Sequence, residues 1–237
     1  MKKLISEQPI CQTCLSRHSG VFCDLSEEQT YDINNAKSST QFKKGEIIFM
    51  EGNSPLGLYC INKGKIKVSK TGNEGREQIV RLAKAGDILG YRALISGGAY
   101  SATATALEDS TVCFIKRQIF FDMLKVNHGF SSTLMKQLSE DLKKAEHKIM
   151  EFVQKPTGER ISETLVILKE FYGFEKDGST INSTLSRENI ASISGTTTET
   201  TIRYLTDLKK KKILDLTGKK IKINDLQQLL NSANIQD

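Results

Sequence analysis

The stretch SRENIASISGTTTETTIRYLTDLKKKK, residues 186–212, decides the fold of the C-terminal part of the chain. Ser186 is placed to cap a short helix, because its hydroxyl can accept from the free N–H groups of a first helical turn. Thr196 with Glu199 reads as a T-x-x-E capping box for the next helix, which is then expected to begin near Thr197. Between the two, Ala191 is small enough to let helices touch, and Gly195 can take the positive φ of a tight turn. The expectation is helix, turn, helix. The start of the second helix, from Thr197, exposes Thr198, Glu199, Ile202 and Arg203. An Arg can donate two hydrogen bonds to guanine O6 and N7, and a Glu can accept from cytosine N4. Glu199 and Arg203, four apart, could instead form a surface ion pair of little energetic weight. Their position at the exposed start of such a helix, with a basic segment following, favours base reading.

Downstream, LDLTGKKIKI (214–223) alternates apolar and polar residues and reads as a two-stranded wing. Lys219 and Lys220 at its turn, with Ser186 and Arg187 at the head of the first helix, are the expected further contacts to an acidic polymer. Upstream, ERISETLVILKEFYGF (159–174) carries Ile161, Leu165, Leu168 and Phe171 at helical spacing, and Pro156 restricts Lys155 to mark a boundary. Before it, Met135, Leu138, Leu142, Ala145, Ile149 and Phe152 are spaced 3, 4, 3, 4, 3. That is the a/d seam of a two-stranded coiled coil; a helix lying on its own domain would show a wider apolar face. From about Gln41 to Lys116 the pattern has a period of two. Ile66 and Val68 alternate with Lys65 and Lys67, Ala102, Ala104 and Ala106 alternate with Ser101, Thr103 and Thr105, and glycines mark the corners. A small antiparallel barrel or jelly roll follows, with room for one small ligand or none.

The chain has 237 residues with 38% hydrophobic and 26% charged content, an ordinary globular composition that names no activity. Its formal net charge is +6, yet the window Arg203–Lys222 alone holds eight basic residues and two acidic ones. The excess positive charge is therefore local, on the second helix and wing, where a phosphate backbone would be met. No apolar run is long enough to cross a bilayer and the start MKKLISEQPI lacks an apolar leader, so a cytoplasmic location and no membrane partner are expected. Five cysteines in such a compartment argue against a disulfide framework. Cys11, Cys14 and Cys23 cluster near the N-terminus, whereas Cys60 and Cys113 fall on barrel strands. Metal binding, redox-active thiols and simple burial are open readings, with Cys60 read as packing. An enzyme is not expected, because no histidine occurs between His18 and His128 and no G-x-S-x-G, P-loop or H-E-x-x-H motif occurs. A ligand-binding signalling module without specific DNA readout is the alternative.

Taken together, the glycine-cornered barrel with KGKIKV, the segment AGDILGYRALISGGAYSATATALEDSTVCFI, the long helix and SREN…G…ETTIR resemble the Crp/Fnr family of bacterial transcription regulators. The resemblance implies an α+β fold: an N-terminal antiparallel β jelly-roll barrel, a long dimerisation helix and a C-terminal winged helix-turn-helix. It divides the chain into a cysteine-containing arm (1–26), a cyclic-nucleotide-binding-like effector barrel (27–127), a dimerisation helix (128–154) and a DNA-binding domain (155–237). It implies a homodimer on double-stranded DNA, with inverted half-sites ~34 Å apart, and RNA polymerase as a further partner. Glu199 and Arg203 match the family's base-reading Glu-x-x-x-Arg, and Thr198 takes a neighbouring position. Thr201 departs from an apolar core position and Ile202 from a Ser or Gly. In the effector pocket, Gly90, Tyr91, Tyr100 and Ser101 occupy the positions that matter. Cyclic-nucleotide binders use a Glu and an Arg where this chain has Tyr91 and Tyr100, so cyclic AMP in the usual mode is disfavoured. Arg92 should point away from Tyr91 if that segment is extended. The family's other sensor type suggests an iron–sulfur cluster on Cys11, Cys14, Cys23 and Cys113, although the eight residues between Cys14 and Cys23 exceed the usual spacing.

Overall fold

The computed structural model describes residues 8–235 apart from 19, 73 and 184. Two compact units are present. The first holds the described residues up to Arg76 together with Val80–Leu142, and the second holds Glu77–Ile79 and Lys143 onward.

In the first unit, the arm forms a 3-10 turn (Cys11–Thr13), a short helix α1 (Leu15–His18) and helix α2 (Glu27–Ala36). Ser26 opens α2 with a capping box in which its hydroxyl accepts from Gln29 N–H and the Gln29 side chain accepts from Ser26 N–H. The barrel follows: β1 (Ser38–Phe42), β2 (Ile47–Phe49), β3 (Gly57–Lys63), β4 (Lys65–Thr71), β5 (Glu77–Lys84), β6 (Ile88–Leu89), β7 (Thr103–Ala106) and β8 (Ser110–Lys116). They build two four-stranded sheets with orders β1-β8-β3-β6 and β2-β7-β4-β5. The period-two residues do what alternation demands: Ile66, Val68, Ala102 and Ala104 are buried between the sheets with Ile61 and Val112. Central strand β3 is covered on both faces. Ile61 points into the barrel core, while Leu58 joins a second core with Val21, Phe22, Phe120 and Phe130 from the arm and following helices.

One expectation fails here. Residues 91–96 are not extended but form helix α3 (Tyr91–Ser96), because Gly90, at φ 84°, turns the chain out of β6 and into a helical turn. Arg92 is an exposed residue of that helix. Helix α4 (Arg117–Val126) then leads into α5, which runs from His128 to Gln154. Leu138 of the apolar seam packs on the second core of the first unit, whereas Met135, Leu142 and Ile149, seven residues apart, are 61–62% exposed.

The second unit contains α6 (Thr157–Tyr172), α7 (Arg187–Ser194), α8 (Thr198–Lys210), a wing of β9 (Leu214–Thr217) on β10 (Lys220–Ile223), and α9 (Leu226–Ser232). Ile161, Leu165 and Leu168 of α6 are buried with Ile190 of α7, Leu205 and Leu208 of α8 and Leu229 of α9. Helix α9 goes beyond the elements read from the sequence. Its signal was there in Asp225, whose carboxylate accepts from Gln228 N–H at 2.9 Å.

The turn between α7 and α8 rests on Gly195 for two reasons. Its φ is 65°, and a Cβ there would run into the ring of Phe152. Gly195→Ala is expected to cost about 2 kcal/mol through the left-handed backbone alone, with a further loss from the ring contact. Urea denaturation of Gly195→Ala against Gly195→Ala/Phe152→Ala checks both parts, since the double variant recovers only the second.

Candidate functional site

Helix α8 begins one residue later than expected. Thr196 N–H bonds to Ala191 O at 3.0 Å and so belongs to the turn that closes α7. Thr197 is therefore the N-cap, its hydroxyl accepting from Thr200 N–H at 3.2 Å, and the Thr196/Glu199 capping box does not form. Glu199 is left with its side chain free. Among the described residues no ion pair joins Glu199 to Arg203, and both are exposed on the same face of α8 beside Thr198 and Ile202. Ile202 is 48% exposed, an apolar contact of the kind that meets a thymine methyl. The family-atypical Thr201 is fully buried, and its hydroxyl donates to Thr197 O at 3.0 Å, so no polar atom is stranded in the core.

The residues around this helix divide into supports and exposed cations. Ser186 caps α7 by accepting from Asn189 N–H at 3.1 Å. Arg187 is half-buried and donates to Gly218 O at 3.1 Å, tying α7 to the wing turn. Lys219 is exposed, and exposed Lys220 is 3.1 Å from Glu175. Lys209 and Lys210 end α8 where cations complement the carbonyl end of a helix. Below, Glu151 and Glu163 are buried with Lys148 at 3.1 Å, Lys155 at 3.0 Å and His147 at 3.0 Å. Their ammonium partners make this a structural ion-pair network joining the end of α5 to α6.

The predicted effector pocket is narrowed by aromatic side chains. Tyr100 stacks on Phe49 at 4.1 Å between centroids and is buried, and its hydroxyl bonds to that of Tyr59. The space left among Gly90, Tyr91, Tyr100 and Ser101 is about 30 Å³, against ~300 Å³ or more for a typical small-molecule site. Tyr91 is buried and its hydroxyl donates to Asp141 of α5, while Arg81 lies 3.2 Å from the Tyr91 oxygen and 3.5 Å from Asp141. Burial pushes the Tyr91 hydroxyl up to about 12. Of the two arginines that line the pocket, Arg81 is thus paired with a carboxylate on the long helix, and Arg92 is exposed.

The cysteines converge elsewhere, and not in the expected set. Cys11, Cys14, Cys60 and Cys113 line one cavity of about 50 Å³ between the arm and sheet β1-β8-β3-β6, several times the ~10–15 Å³ that one water requires. Cys23 is exposed and does not line it. Cys60 stands opposite Cys113 in the β3–β8 register, and Asn62 Nδ2 donates to Cys14 Sγ at 3.3 Å. Asn34 Oδ1 accepts from both Cys11 N–H, at 2.9 Å, and Lys37 Nζ, at 3.0 Å. Burial raises the Cys60 thiol well above its ordinary value and takes Cys113 to about 11, with Lys37 opposing both shifts.

Residues 39–127 match the family model described as Cyclic nucleotide-binding domain, and residues 159–232 that described as Crp-like helix-turn-helix domain. The chain belongs to the Crp/Fnr family of transcription regulators. This Crp/Fnr regulator is 28% identical over 229 residues to the Fumarate and nitrate reduction regulatory protein of Vibrio cholerae, covering 95% of this chain and 90% of that one. It is 29% identical to the Anaerobic regulatory protein of Bacillus subtilis, covering 81% and 82%. The CRP-like cAMP-activated global transcriptional regulator of Mycobacterium tuberculosis is 22% identical, covering 91% and 96%. Among solved structures, FixK2 from Bradyrhizobium japonicum superposes with a TM-score of 0.74 at 23% identity, covering 85% and 99%. A putative transcriptional regulator of the crp/fnr family from Eubacterium rectale gives 0.76 at 19% identity, covering 91% and 98%. The Crp/Fnr chain is thus a DNA-binding transcription regulator, not an enzyme and not a signalling module without DNA readout. Among the described residues, no helix is long and apolar enough to cross a membrane.

Tyr91→Phe removes a donor to the half-buried carboxylate of Asp141 and is expected to lower the stability of the barrel and α5 by ~1–2 kcal/mol. Thermal denaturation checks it; an unchanged Tm would mean that the bond carries no weight.

Proposed function

We propose that this regulator is a cytoplasmic homodimer that holds two recognition helices against an inverted-repeat operator and changes their presentation when its N-terminal cysteines gain or lose an iron–sulfur cluster. The arm (1–26) and barrel (27–127) receive the signal, the helix 128–154 dimerises, and 155–237 bind DNA. The observation that carries the reading is the pairing state of α8: Glu199 and Arg203 share an exposed helical face and do not neutralise each other. Arg203 donates to guanine and Glu199 accepts from cytosine, with Thr198 and Ile202 at neighbouring bases. Thr197, Ser186 and Arg187 hold the helix-turn-helix against the backbone, and Lys219 and Lys220 approach phosphates from the wing. RNA polymerase is the second macromolecular partner of this reading.

Dimerisation is supported by Met135, Leu142 and Ile149, which recur at one heptad position and stand open to solvent. Phe152 leaves the seam to pack on Gly195, so the seam is narrower than its sequence spacing suggests. Redox state as the signal is supported by the small volume of the effector pocket, by four thiols around one cavity, and by relatives named for anaerobic regulation. Lys37 and Arg17, which also line that cavity, suit a thiolate-held cluster of net negative charge. When bound, such a group supplies one-electron redox chemistry.

Binding selection from a randomised duplex pool, followed by fluorescence anisotropy, tests the DNA assignment. Arg203→Ala is expected to cost ~1–3 kcal/mol and to relax one G·C position, whereas Lys219→Ala weakens all duplexes alike and flattens the salt dependence. Equal losses on selected and random DNA for Arg203→Ala would sink the base-reading role. For the dimer, Leu142→Asp/Ile149→Asp should sediment as a folded monomer with operator binding lost. A wild-type chain that is monomeric at micromolar concentration would contradict the dimer.

A further inference from the structure

We propose that Cys60 of β3, and not Cys23, supplies the fourth thiolate of the iron–sulfur site, so that the ligand set is Cys11 and Cys14 from the arm with Cys60 and Cys113 from the barrel. The inference rests on the cluster reading above and corrects its ligands. It begins with register. Cys60 and Cys113 are directly opposed on neighbouring antiparallel strands, so their side chains leave the sheet on the same face, a few ångströms apart. That face is covered by the arm, and there Cys11 and Cys14 complete the lining of the same cavity. Cys23 is the exposed member of the five cysteines and lies outside it.

The surroundings point to an anionic occupant. Lys37 is a buried lysine at the cavity, and its ammonium has Asn34 as a neutral acceptor. Arg17 lines the same space, and its buried Nε has no hydrogen-bond partner among the described residues. A guanidinium N–H stranded in an apolar cavity is costly unless something accepts from it. Asn62 already donates to Cys14 Sγ, the kind of N–H to sulfur contact that tunes a cluster.

Spacing separates a cluster from a single ion. Tetrahedral zinc with Zn–S near 2.3 Å needs thiolates ~3.8 Å apart. Among the described residues no three of these thiols have their sulfurs all within 4.8 Å of one another, a spacing that His147, Glu151 and Glu163 do reach. A four-iron cluster, with one thiolate on each iron at the corners of a cube, demands a wider set.

The experiment is anaerobic purification and reconstitution with iron and sulfide of the full chain, with iron and acid-labile sulfide counted per chain and the visible spectrum recorded. Wild type and Cys23→Ser are expected to load equally, and Cys60→Ser is expected to lose at least half of its iron and sulfide while keeping its far-ultraviolet circular dichroism. Loss of the cluster in Cys23→Ser with retention in Cys60→Ser overturns the proposal and leaves the cluster reading intact. A wild-type chain that takes up no iron, or that takes zinc instead, overturns both. If Cys60→Ser does not fold, alkylation of loaded wild-type protein decides. Modification of Cys23, mapped by mass spectrometry, should leave iron content unchanged, and iron released in step with Cys23 alkylation would overturn the assignment.

Discussion

The register of β3 on β8 is the constraint on which the N-terminal half depends. Leu58 faces Ile115, Cys60 faces Cys113 and Ile61 faces Val112. Because successive side chains leave opposite faces of a strand, this one alignment sends Ile61 and Val112 into the barrel and Leu58, Cys60, Cys113 and Ile115 toward the arm. A slip of one residue would exchange the two sets, putting thiols among the barrel's apolar residues and apolar side chains where the thiols now meet. Barrel core and thiol cavity are thus two faces of a single hydrogen-bonded ladder. Buried Phe22, Leu25 and Ile33 line the same cavity from the arm side.

The two faces of the sheet are lined differently. On the barrel side Phe49 packs on both Tyr59 and Tyr100, and Arg81 pairs with Asp141. Tyr91, Arg81 and Gln137 all converge on Asp141, so the rim of the pocket is tied to the long helix by two hydrogen bonds to a carboxylate and one ion pair.

In the C-terminal unit the governing detail is smaller. Thr196 closes α7 through its backbone N–H, and the chain restarts as a helix only at Thr198 under the cap of Thr197. Had Thr196 been the cap, Glu199 would have turned back to the cap's backbone as the second arm of a capping box. The one-residue delay frees that carboxylate, and with it the exposed face that Glu199 shares with Arg203. Arg160 adds to the support of the turn by donating to Ser194 O at 3.0 Å and Gly195 O at 3.3 Å. Phe152, drawn from the apolar seam, packs against the same glycine.

Local chemistry was legible in the sequence wherever a structural preference repeats within a few residues. Period-two alternation around Ile66 and Ala104 specified a barrel, 3-and-4 spacing from Met135 to Ile149 a long helix, and Ser186, Ala191, Gly195 and Arg203 a helix-turn-helix with a reading face. Tyrosines at positions 91 and 100 already argued against a bound cyclic phosphate, because neither side chain carries a cation. Hidden were the facts that depend on alignment between distant segments. The thiol count could be read, but which thiols meet could not: the gap between Cys14 and Cys23 is local, whereas the approach of Cys11 to Cys60 and Cys113 is set by strand register and by the docking of the arm. The sequence by itself determined most of the elements, α3 and α9 excepted, and the chemistry they carry, since backbone propensity and side-chain periodicity act at short range. Only the tertiary structure decided the partners, because hydrogen-bonded register and apolar burial bring together residues that no spacing along the chain relates.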